Sequence, residues 1–140
     1  MRKAFVLARQ AFEEGEIPVG AVVVARGEKI IGKGYNQTER LNDVTAHAEM
    51  LAITAASTHL GSKYLKDCAL YVTLEPCPMC AAALHWAQIP VLIYGAKDPK
   101  KGYSLFKPAL LHPKTLVKRG ILEDECSGIV KDFFAARRPK

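Results

Sequence analysis

The chain lacks any run approaching the ~20 consecutive apolar residues that cross a bilayer, so no transmembrane segment is expected among its 140 residues. Its start, Met1-Arg2-Lys3-Ala4-Phe5, has no apolar h-region or small-residue cleavage site, and the expected compartment is cytoplasmic. Internal repeats, low-complexity tracts and dividing linkers are absent, which leaves residues 1–140 to be read as a single domain. Cysteine is sparse: Cys68, Cys77, Cys80 and Cys126. In a cytosolic chain of this size, four cysteines point to thiols or metal ligands rather than a disulfide framework. Acidic residues run short only in the last third. Residues 1–96 carry 9 Lys/Arg against 9 Asp/Glu, whereas residues 97–140 carry 11 against 5, so the whole formal charge of +6 lies there. Such a surplus suits a polyanion such as nucleic acid, or a plain solvated surface.

Hydrophobic residues make up 49% and charged residues 24%, as in soluble globular proteins. Ala4, Leu7, Ala8, Ala11 and Phe12 form one apolar stripe and predict a helix over 2–14, ended by Gly15 and Pro18. Strands are predicted at 19–25 and 29–35, joined as a hairpin through Arg26-Gly27-Glu28. The Ala-rich stretch 46–57 reads as a helix buried against a sheet, with Asp43 or Thr45 as its N-cap. A strand at 69–74, a helix at 78–87 opening on proline and a buried strand at 91–94 follow. Then come a Lys-, Pro- and Gly-containing loop over 96–113 holding a short helix, an edge strand at 115–118, and a helix at 123–137. That last helix has acids at its start and bases at its end, as the macrodipole favours. Strands alternating with helices predict an α/β fold, a three-layer α/β/α sandwich, and the opening hairpin makes its sheet mixed.

Two segments carry chemistry: His47-Ala48-Glu49 and Pro76-Cys77-Pro78-Met79-Cys80, each at a predicted helix start. Cysteines three apart at a helix N-terminus face one way, and the partial positive charge there favours thiolates. Alone, they could equally be a redox Cys-x-x-C pair. With His47 they make three soft or borderline ligands that suit Zn²⁺ and leave one tetrahedral position for water. Glu49 lies among Ala48, Met50 and Leu51, where a carboxylate is costly unless it has a task or a partner. It can take a proton from water and hand it on, as base and then as acid. Cys68 precedes Cys77 by nine residues with a strand between, which puts it roughly 20 Å or more away. Cys126 reads as a core or surface thiol, and His59, His85 and His112 lack ligand spacing.

The His47-Ala-Glu49 and Pro76-Cys77-x-x-Cys80 pair resembles the signature of the cytidine deaminase-like superfamily. Further segments resemble bacterial tRNA-specific adenosine deaminases: residues 17–22, Asn36, residues 45–49, 70–77 and 94–98, and Phe133-Phe134-x-x-Arg137-Arg138. That resemblance implies a five-stranded sheet, a homodimer, and conversion of adenosine to inosine at the wobble position of a tRNA anticodon stem-loop. It implies His47, Cys77 and Cys80 as ligands of one Zn²⁺ per subunit and Glu49 as proton shuttle. It further implies that Asn36 bonds the flipped base, that Val19, Leu74 and Glu75 line the nucleotide pocket, that Asp98 contacts the anticodon strand, and that Phe134 and the basic tail touch flanking RNA. Where many members have a small-residue stretch, this chain has Gly102-Tyr103-Ser104-Leu105-Phe106, in which Tyr103 or Phe106 stacks on a base or packs under the loop. Trp86 is expected in the core or at the dimer interface. Two rivals stand beside this reading: a guanine or other free-base deaminase with the same zinc site, and a zinc-stabilised RNA-binding module without chemistry.

Overall fold

The computed structural model describes residues 1–26 and 28–137. Gly27 of the expected hairpin turn and Arg138 of the basic tail lie outside the described residues. Helix α1 (Arg2–Glu13) is followed by β1 (Gly20–Ala25), β2 (Lys29–Tyr35), α2 (Ala48–Leu60) and β3 (Ala69–Leu74). Then come α3 (Pro78–Trp86), β4 (Val91–Ala96), a 3₁₀ turn (Tyr103–Leu105), β5 (Leu116–Arg119) and α4 (Glu123–Arg137). The strands form one sheet in the order β2-β1-β3-β4-β5, antiparallel for the first two pairings and parallel for the last two. This is the expected mixed sheet. No described helix is long and apolar enough to cross a membrane.

Alternation along the strands assigns the two faces. Ala21, Val23, Leu70, Val72, Leu92 and Tyr94 are matched across the register and form one core with Ala48, Ala52, Ala56 and Leu84 of α2 and α3. On the other face, α1 and α4 pack against the sheet and each other. The predicted stripe of α1 is the buried one, with Ala4, Ala8 and Ala11 fully inside.

One expectation needs correction, and another is narrowed. Helix α2 begins at Ala48, capped by the extended backbone of His47, and not at Ala46 behind Asp43 or Thr45. The reason is local: Asp43 Oδ1 accepts the Thr45 N–H at 2.8 Å and its hydroxyl at 2.7 Å, closing a turn of their own. Of the two places expected for Trp86, the core is excluded, since it is 81% exposed at the end of α3.

Helix α2 lies very close to β2. A Cβ at Gly34 would collide with the Ala48 carbonyl and stand 2.8 Å from the Ala52 nitrogen. Alanines on the helix and glycine on the strand therefore let the two backbones meet. Gly34→Ala is expected to destabilise the fold by about 1–3 kcal/mol through overpacking. The check is thermal unfolding, and an unchanged midpoint would contradict the close-packing account.

Candidate active site

The sheet's geometry gathers the chemistry at one rim. Gly20 pairs with Tyr35, Ala21 with Val72 and Leu74 with Ala96, so the start of β1 and the ends of β2, β3 and β4 share an edge. Ligand sites of open α/β sheets sit at such carboxyl ends. Helices α2 and α3 both begin here, and they begin alike: His47 is the N-cap of α2 and Cys77 the N-cap of α3, each with extended backbone. Pro78 occupies the first turn of α3, where no N–H is missed, and places Cys80 on the same side as Cys77.

The ligand atoms of His47, Cys77 and Cys80 all lie within 4.8 Å of one another. His47 turns Nδ1 to both sulfurs, 3.6 Å from Cys77 and 3.5 Å from Cys80. These three residues are the one such cluster of candidate metal ligands among the described residues. Cys68 stands just before the first residue of β3, at the strand's other end, and Cys126 is buried in α4. His85 instead bonds the Leu110 carbonyl at 3.1 Å.

The electrostatics fit a cation. A hydrogen bond from the Cys80 thiol, aided by His47, holds Cys77 down to about 4. That same bond, with burial, pushes Cys80 well up. One proton leaves the pair readily, and the second leaves only in exchange for a positive charge, as in zinc binding. His47 is raised by its bond to Cys77. Glu49, 4% exposed and in the first turn of α2, is pushed up to about 7 by burial. Two thiolates and an imidazole with no fourth protein ligand among the described residues make an open donor set for Zn²⁺.

The remaining expected residues divide by place. Val19 and Leu74 are at the rim, packed into or against the core. Asn36 is 5% exposed, its N–H bonded to Val19 O at 3.0 Å. Glu75 is 2% exposed with its carboxylate bonded to the 98–104 loop. Asp98 is half-buried, and its Oδ1 accepts the N–H groups of Lys100 and Lys101 at 3.0 Å each. Phe134 is 45% exposed on α4, in the layer opposite α2 and α3, while Phe133 is the core partner. Tyr103 packs under its loop against Tyr94, and Phe106 is exposed.

Sequence reasoning missed three contributors. Glu16 is buried and accepts the Glu39 and Arg40 N–H groups at 3.1 and 2.8 Å, bracing the loop that leads to His47. Ser104 bonds Glu75, and the charge of Lys101 acts on His47. None has a local motif, because each works through a partner distant in sequence.

The unequal thiols give a direct test. In chelator-treated protein at about pH 6, Cys77 is already thiolate and iodoacetamide should label it ahead of Cys68 and Cys126, whose thiols burial pushes up. Added Zn²⁺ should suppress the labelling. Peptide mass spectrometry reads both, and a Cys77 that reacts only at alkaline pH would refute the arrangement.

Residues 1–96 match the family model of the cytidine and deoxycytidylate deaminase zinc-binding region. The tRNA-specific adenosine deaminase of Agrobacterium fabrum is 45% identical over 143 residues, covering 99% of this chain and 93% of that protein. The chloroplastic tRNA(adenine(34)) deaminase of Arabidopsis thaliana is 44% identical over 158 residues, and the match spans only 12% of its length. A solved structure from work on A-to-I editing by tRNA:A34 deaminases at the wobble position of transfer RNA superposes with a TM-score of 0.86 at 45% identity, covering 92% of this chain and 96% of that one. With its ligand triad and acidic neighbour set at the sheet rim, the chain belongs to the zinc-binding deaminases, and among them to the family of tRNA-specific adenosine deaminases.

Proposed function

We propose that this chain, as a single deaminase domain with one Zn²⁺, hydrolyses adenosine to inosine at the wobble position of a tRNA anticodon, consuming water and releasing ammonia. The observation that carries the reading is the convergence of His47, Cys77 and Cys80 within 4.8 Å beside a buried Glu49. The similarity to tRNA-specific adenosine deaminases along nearly the whole chain supports the substrate.

When bound, zinc supplies the Lewis acidity that makes water a nucleophile near neutral pH. His47 Nδ1 and the two sulfurs would hold it. Glu49 takes one proton of the attacking water to the purine ring nitrogen, then carries the second, from the added hydroxyl, to the amine, which departs as ammonia as the carbon–nitrogen bond breaks. Burial pushes its carboxyl up to about 7, and a divalent cation beside it draws it back towards the ionised form that accepts a proton. Val19 and Leu74 supply apolar walls that exclude water, and Asn36 offers a donor and an acceptor to the base edge. Asp98 and Phe134 are the residues for the flanking RNA. The surplus of base over acid in residues 97–140 supports phosphate contacts, which give affinity and position.

The same reading has the chain act in the cytoplasm as a homodimer. Trp86, 81% exposed, is a large apolar side chain that a second copy would cover.

Incubation with an adenosine-bearing anticodon stem-loop should yield inosine by mass spectrometry. Glu49→Gln should lower the rate by about 100-fold or more while zinc content and thermal midpoint hold. A fully active Glu49→Gln enzyme would leave the metal a purely structural part. Turnover of guanine with no reaction of the stem-loop would transfer the assignment to a free-base deaminase.

A further inference from the structure

Glu75 directly follows β3, two residues before Cys77, and among the described residues its carboxylate bonds one segment only. Oε1 accepts the Asp98 N–H at 3.1 Å, and Oε2 accepts the Ser104 N–H at 3.0 Å and the Ser104 hydroxyl at 2.7 Å. The backbone completes the clasp: Glu75 N–H donates to Ala96 O at 2.8 Å, and Tyr103 N–H to Pro76 O at 2.9 Å. Gly102 lies against the carboxylate so closely that a Cβ there would collide with it. No basic side chain pairs with Glu75 among the described residues. Its burial is therefore met by three donors from the loop alone, and those donors have no other partner if the carboxylate is lost.

The loop so held is bonded to the residue before Cys77, through the Tyr103 N–H and the Pro76 carbonyl. Asp98 Oδ1 ties the N–H groups of Lys100 and Lys101 into the loop's own turn, so fixing Asp98 also fixes the two lysines. A seven-residue segment between Asp98 and Ser104 is thus gripped at both ends by one buried group.

We infer that Glu75 is a positioning residue: its carboxylate sets the 98–104 loop, and with it Asp98, beside the cysteine segment, and so serves the substrate through the loop without touching it. The inference rests on the function proposed above for the part played by RNA, and on geometry alone for the clasp.

The test uses the zinc-loaded full chain with Glu75→Gln, Ser104→Ala, Ser104→Thr and the Glu75→Gln/Ser104→Ala double variant. Hydrogen exchange of the peptide covering 98–104 should quicken about tenfold or more in Glu75→Gln, with α2 and α3 peptides and zinc content as in the parent. For the anticodon stem-loop, kcat/KM should fall roughly 10- to 100-fold, mainly through KM. Ser104→Ala should move both readouts the same way by less, and Ser104→Thr, which keeps the hydroxyl, should restore them. The double variant should match Glu75→Gln alone, because both changes break one contact. Parental exchange in Glu75→Gln would overturn the clasp. Multiplying effects in the double variant, or lost activity with an unchanged loop, would mean that Glu75 meets the substrate directly. If the parent itself made no inosine, the proposed substrate would fall, and the exchange and Ser104 arms would still decide the clasp.

Discussion

The site depends on how closely two backbones approach. Helix α2 can place His47 and Glu49 at the sheet rim only because Ala48, Ala52 and Ala56 lie on strand positions with almost nothing to displace, Gly34 among them. Interiors are close-packed, so an added methyl is not absorbed but moves the helix. A shift of α2 alone would separate His47 from the cysteines, which ride on α3 and are held by a different strand. The relation of α2 to β2 is thus also the relation of one metal ligand to the other two.

From that placement the electrostatics follow. Two helices aim their N-termini at one spot, and the partial positive charge there would repel a lone metal ion. The thiols reverse the balance, since helix N-termini favour thiolates. Cys77 surrenders its proton early, and Cys80, buried and bonded to Cys77, holds its own until a cation arrives. Glu49 is kept out of water by the same packing that positions His47, and a carboxyl near neutrality is suited to carry a proton both ways. Buried carboxylates recur in this fold with another task. Glu16 and Glu75 each satisfy themselves on backbone N–H groups of a rim loop, so both loops beside the site are held by groups inside the molecule.

Much of this was legible beforehand. The alanine stripe of α1, the hairpin, the apolar β4 and the proline-led α3 all rest on periodicity and punctuation that act over a few residues. The start of α2 was misread because Asp43 and Thr45 are both good caps, and their side chains chose each other over the helix. For Trp86 the core and an interface both stood open, because residue type alone does not say which face of a short helix meets the sheet. Glu75 was expected from the resemblance to line the nucleotide pocket, and its bonds to the 98–104 loop were not legible because they join residues far apart in the chain.

The amino-acid sequence by itself determined the order of strands and helices, the zinc-suited donor set and the acid two residues from its histidine, because side-chain chemistry and short-range spacing are local properties. Only the tertiary structure decided that His47 and Cys77 cap neighbouring helices within one ion's reach, and that Glu75 grips a loop more than twenty residues away. Such meetings arise from register and packing, which couple residues through space, and no short segment of chain contains them.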